Sequence, residues 1–214
     1  MKTKFLVSLA FIAFMFSNVA QGQDYAIETV FGSGSPRASG GYGAITNKFT
    51  TIDGQFANLV EVYGGWYINH RFLLGFAFAG VTNDLPVLPE FSAKPGTALS
   101  YEYGQVGLMT EYVIGSEKAV HVAFQLFAGS GFTMQYERHT LYDDFEDDHR
   151  HEVYDEDWFF VAEPGVKLEM NVFRWMRFSP GISYRAAFNS SGKGISDNAL
   201  SAISYNATLK FGKF

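Results

Sequence analysis

The chain has 214 residues, a formal net charge of −6 and no cysteine. That length fits one domain. The missing cysteine excludes a disulfide scaffold and a cysteine-linked lipid anchor, and the acidic balance leaves no basic footprint for nucleic acid. Aromatic residues make up 17% of the chain, with 22 Phe and 12 Tyr, a load suited to lipid-facing walls and interfacial girdles.

Residues 1–22 read as a signal peptide. Lys2 and Lys4 supply the positive start, Phe5 to Phe16 the apolar run, and Ala20 and Gly22 the small residues before a cut preceding Gln23. The apolar run is too short to span a bilayer, which needs about 20 residues. Without Lys2 and Lys4 the formal charge goes from −6 to −8. Residues 23–40 follow as a periplasmic lead-in, and the Gly-rich stretch from Gly32 to Gly43 carries no phosphate-loop lysine. Residues 41–214 form the remaining domain, and no run in it approaches a spanning helix.

Period-two alternation predicts eight strands there. The first lies near Gly41 to Ile52, ending at the turn signal Asp53-Gly54. The second lies near Gln55 to Ile68, with Phe56, Val60, Val62, Trp66 and Ile68 on one face. After Asn69-His70 the third covers Arg71 to Thr82. A loop with Pro86, Pro89 and Pro95 leads to the fourth, Ser100 to Ile114. Tyr101 and Tyr103 there are out of step with Val106, Leu108, Tyr112 and Ile114, so a bulge is expected at Gly104. The fifth covers Val120 to Glu137, and a long loop is expected over Arg138 to Asp157. The sixth and seventh make the clearest hairpin, in the stretch from Phe160 to Phe188. Val166, Leu168, Phe178 and Ile182 mark its apolar face, and Glu163, Lys167, Glu169, Arg177 and Arg185 its polar one. A polar loop, Asn189 to Leu200, precedes the eighth strand, Ser201 to Phe214.

Short connections follow strands two, four and six, and most long ones follow three, five and seven. Membrane barrels have this asymmetry, with short periplasmic turns and longer outer loops. A soluble lipocalin-like barrel shares the period but has an apolar interior. Here the minority face mixes glycine with charges of both signs, including Glu61, Glu111, His121 and Lys210, a poor cavity for a greasy ligand. The expected fold is therefore all-β: a single eight-stranded antiparallel transmembrane β-barrel with meander topology. Phe214 supplies the terminal aromatic of an assembly signal, although Ile203, Tyr205, Leu209 and Phe211 are offset from it by one residue.

The phrases Gly64-Gly65-Trp66-Tyr67-Ile68-Asn69-His70, Glu163-Pro164-Gly165, Gly181-Ile182-Ser183-Tyr184-Arg185 and Leu209-Lys210-Phe211-Gly212-Lys213-Phe214 carry a resemblance. With them the chain resembles small outer-membrane β-barrel proteins of Gram-negative bacteria, of OmpA/OmpX-like eight-stranded architecture. The resemblance implies an outer-membrane location and barrel fold, with no activity to carry to any residue. Expected partners are outer-membrane lipid, lipopolysaccharide and the barrel assembly machinery, with no nucleic acid, and the barrel is expected to be a monomer.

Three groups of residues are candidates for chemistry. The stretch Asp143 to Asp157 holds nine carboxylates with His149 and His151; it lacks the glycine of an EF-hand loop and reads as a solvated acidic loop, with divalent bridging to lipopolysaccharide as the sharper alternative. Glu163, Lys167, Glu169, Arg177 and Arg185 read as a structural charge network filling the lumen. Glu169 is expected near Arg177, and Glu163 near Arg185. His70, His121 and His139 have no G-x-S-x-G nucleophile beside them, so no catalytic residue, cofactor or metal is assigned. The expected role is structural or surface-interactive, displaying acidic and polar loops. The alternatives are a rim enzyme acting on lipid or peptide, His139 with Glu137 being the nearest approach to a site, and a narrow conduit or binder for a small hydrophobic compound.

Overall fold

A computed structural model describes residues 40–68, 71–137 and 153–212. The strands are β1 (Gly40–Ile52), β2 (Gln55–Ile68), β3 (Phe72–Val81), β4 (Leu99–Ile114), β5 (Val120–Glu137), β6 (Val153–Phe173), β7 (Met176–Phe188) and β8 (Ala202–Gly212). Each pairs antiparallel with its sequence neighbours, and β8 returns to β1 from Tyr42↔Gly212 to Phe49↔Tyr205, closing the barrel. Asp53 and Gly54 join β1 to β2 with φ of 50° and 71°, the two left-handed residues that a two-residue hairpin turn requires.

Every strand presents apolar side chains outward. Ile45, Trp66, Phe76, Leu108, Phe124, Leu168, Ile182 and Tyr205 all face away from the interior. In water such a continuous apolar wall far exceeds what a monomer leaves exposed. Within a bilayer it is a lipid-facing surface, and closure leaves no unpaired strand edge in hydrocarbon. Phe173, Trp175 and Phe211 stack near the inner end of the barrel, the end where β1 begins and β8 ends. Phe132 with Trp158, and Phe160 with Phe188, form ring pairs towards the outer end.

Small barrels need sharply bent strands, and two inward glycine pairs supply the bend. A Cβ on Gly65 would lie 2.2 Å from Leu74 O, and one on Gly129 would lie 2.2 Å from Val106 O. Only hydrogen fits where Gly65 faces Gly75 and Gly107 faces Gly129. The β6–β7 ladder skips the pairs at Pro164 and Pro180, which have no N–H to give.

Three expectations are corrected. The β4–β5 register runs unbroken from Leu99↔Glu137 to Ile114↔Val122, so there is no bulge at Gly104. Tyr101 and Tyr103 instead point inward, 3% and 0% exposed, because their hydroxyls find acceptors there. Register shifts occur between Thr133 and Gln135 against β6, and between Asn171 and Phe173 against β7. Strand β6 begins at Val153, so the last part of the expected acidic loop is strand. The loop before β8 holds one helical turn, α1 (Asp197–Leu200), capped by Ser196. His70, His139, His149, His151, Phe214 and the acidic residues 143–152 lie outside the described residues.

Candidate functional site: the lumen and its outer cap

The even positions of β1 and the odd positions of β2 to β7 project inward, and β8 contributes Ser204, Asn206, Thr208 and Lys210. These positions bring charges from six strands into one buried network, organised around two carboxylate centres.

The upper centre is Glu163. It accepts from Lys48 Nζ at 3.0 Å through both oxygens, from Ser183 Oγ at 2.6 Å and from Gln105 Nε2 at 3.2 Å. Lys48 also reaches Glu61 Oε2 at 2.6 Å. Tyr103 donates to Gln105 Oε1 at 2.6 Å, which fixes the amide so that its nitrogen faces Glu163.

The lower centre couples Glu111 and Glu169. Glu111 accepts from Lys210 at 2.8 Å, Tyr42 OH at 2.7 Å and Tyr63 OH at 3.0 Å. Lys167 donates to Tyr63 OH at 2.8 Å and lies 3.5 Å from Glu111 Oε1. Lys210 bridges to Glu169, which also takes Arg177 Nη1 at 3.2 Å. The His121 ring lies 3.0 Å from Glu169 Oε2 and 3.0 Å from Lys118 O.

Of the five residues singled out from the sequence, Glu163, Lys167, Glu169 and Arg177 enter this network. Glu169 meets Arg177 as expected of their places in the hairpin. Arg185 lies near enough to Glu163 for its charge to act on it, as expected, but its hydrogen bonds go elsewhere. Its Nε donates to Leu200 O at 2.6 Å and its Nη2 to Thr51 O at 2.7 Å, with the guanidinium 4.9 Å from the Tyr103 ring centre. It ties the outer end of the barrel to the loop before β8. Lys48 was missed. The alternation of Ile45 and Phe49 with Thr46, Lys48 and Thr50 was the available signal, since it places Lys48 on the inward face.

Above Glu163 the lumen becomes apolar and loops cover it. Leu85, Leu99, Ile195 and Leu200 are buried there with Phe159 and Val161 from β6. Carboxylates on β6 hold the covering backbone. Asp157 accepts from Ser191 N and Oγ, each at 2.7 Å, and from Gly192 N at 3.1 Å, and Asp155 accepts from Lys193 N at 2.6 Å. These two acids of the expected solvated acidic loop are therefore engaged with amides. Gln135 clamps the other loop, donating to Phe91 O at 3.0 Å and accepting from Ala93 N at 2.9 Å. Asp197 accepts from Ser190 Oγ at 2.6 Å and Ser190 N at 2.7 Å, which holds its carboxyl below the usual carboxylate range. At the inner end a cleft of about 620 Å³, lined by Ser116, Asn171, Val172, Phe173, Arg174 and Arg177, opens outward from the network.

Eight strands leave an interior just wide enough for side chains, and here side chains fill it. Among the described residues no group of acids and histidines has the arrangement of a metal site. His121 is enclosed, with a backbone carbonyl on one side and Glu169 on the other.

No family model matches the chain, and no curated protein matches it in sequence. Among solved structures it is similar to the N-terminal β-barrel domain of Pseudomonas aeruginosa OprF, with TM-score 0.50 and 7% identity over 81% of this chain and 96% of that one. The chain has the fold of an eight-stranded outer-membrane barrel. Neisserial surface protein A matches at TM-score 0.50 and 11% identity over 82% of this chain and 97% of that one. A major outer membrane protein from Thermus thermophilus matches at TM-score 0.53 and 11% identity over 82% of this chain and 99% of that one. In this barrel fold the lumen described above is the interior of a wall, with the start of β1 and the end of β8 at one end and the loops before β4 and β8 at the other.

Proposed function

We propose that the protein is exported to the outer membrane and serves there as a plugged barrel with a structural or surface-interaction role, without catalysis. Its outer loops form the working surface, and its wall rests against outer-membrane lipid, with lipopolysaccharide around the outer rim. In this reading the assembly machinery inserts the chain. One observation carries the proposal: the lumen is occupied by an ion-paired network below and an apolar, loop-covered core above. That arrangement favours rigid display of loops over transport.

The test is conductance in planar bilayers, together with adhesion of vesicles carrying the protein to cells or matrix. The expected result is no stepwise channel opening, and adhesion that falls when the loop of residues 83–98 is replaced by a short turn. Regular ohmic steps from the intact protein would overturn the plugged reading. Adhesion indifferent to loop replacement would overturn the display role.

A further inference from the structure

The lipid-facing wall carries a feature that lipid does not satisfy. Asn47 on β1 and Asn58 on β2 both point outward, and Asn58 Nδ2 donates to Asn47 Oδ1 at 2.6 Å. Thr82 Oγ1 donates to Asn58 Oδ1 at 2.7 Å, and Asn83 Oδ1 takes the Asn58 backbone N–H at 2.7 Å. Asn58 is thus held from the loop side. Asn47 Nδ2 has no hydrogen-bond partner among the described residues.

Its height makes this costly. On β1, Asn47 lies between Gly41, which pairs with Trp66, and Thr51, which pairs with Phe56. Its outward neighbours Ile45 and Phe49 are both exposed apolar side chains. The amide donor therefore sits within the hydrocarbon zone, where water is absent and an unpaired polar group is penalised. Polar side chains at such depth normally bond to a partner in the membrane.

We infer that this face binds a second copy of the same chain, through Asn47 of each. A carboxamide is self-complementary: across a two-fold axis, Nδ2 of one copy donates to the free lone pair of Oδ1 of the other, and the reverse. The wall beside it permits the approach. At the same height β8 presents Ala207 and β7 presents Pro180, both short side chains in register with Asn47.

The chain lacks cysteine, so one introduced thiol reports proximity. In full-length protein folded into phospholipid vesicles, Ile45→Cys keeps Asn47 and lies beside it. Phe124→Cys on β5 marks the opposite wall. Under mild oxidation Ile45→Cys is expected to form disulfide-linked dimers well above Phe124→Cys. Adding Asn47→Val should lower that yield by about five-fold while the unheated protein keeps its compact gel mobility. Equal cross-linking at the two walls, the result if a lipid covers Asn47, would overturn the inference. So would a yield unchanged by Asn47→Val in protein that still folds.

Discussion

The inner and outer halves of the lumen solve the same burial problem in different ways. Below Glu163 the strands supply both signs of charge, and each cation finds its carboxylate on another strand or across a hairpin. Above it the strands supply tyrosines and aliphatic side chains, and the polar groups needing partners are the backbone amides of the loops. Asp155 and Asp157 take those amides, so acids that neutralise lysines in one half anchor loops in the other. Locking of the wall and anchoring of the loops are thus divided along the barrel axis. The inner half locks the wall, and the outer half fixes the shape of the loops.

The largest expected effect breaks the inner half. Glu111→Leu leaves the amines of Lys210 and Lys167 short of their shared anchor, both in a lumen where the pairs are fully enclosed. Removing one partner of a buried pair costs about 3–5 kcal/mol. Denaturant unfolding in vesicles should show that loss, and adding Lys210→Met should restore a substantial part of it. A variant as stable as the parent would mean that the network contributes nothing.

The next tests the outer half. Leu200 is fully buried under the loop it belongs to, beside the carbonyl that Arg185 holds. Leu200→Ala should cost about 2–3 kcal/mol if the cap is as well packed as a core. Amide exchange should rise first in residues 189–201, with the inner strands unchanged. Uniform loosening of the whole barrel would show that the two halves are not separable.

The smallest effect sharpens the boundary by pH. Folding lowers the Asp197 carboxyl below its ordinary value through the Ser190 hydroxyl and amide hydrogen bonds. The ionised form is therefore favoured in the folded loop. Its contribution is complete above the unfolded value of about 3.9 and is lost as pH falls through the lower folded value. Loop resonances followed by NMR should stay constant from neutral pH to about pH 4 and move only below it. In Asp197→Asn that acid-side change should disappear.

Much of the fold was legible in the residues. Alternation on β2, β5 and β7 reproduces their observed bounds, because a wall with lipid on one side and charge on the other leaves little freedom of register. Tyr101 and Tyr103 misled for a physical reason. Tyrosine is amphipathic, so its place in an alternating pattern does not declare a face, and two inward tyrosines imitate a slipped register. Glu169 with Arg177 was legible because both lie on one hairpin. Lys48 with Glu163 was not, because β1 and β6 meet only across the closed interior. Arg185 shows the same limit, since its acceptors are the carbonyls of Thr51 and Leu200, which side-chain types do not encode.

Alternation, turn residues and the mixture of glycine with charge determined the barrel, its polarity and its two unlike ends, because each of these is a local consequence of which solvent a side chain meets. Which cation meets which carboxylate across the lumen, as Lys48 meets Glu163, and where the ion pairs give way to an apolar cap were decided only by closure of the sheet. Closure sets the distances between strands far apart in sequence, and no period along the chain carries those distances.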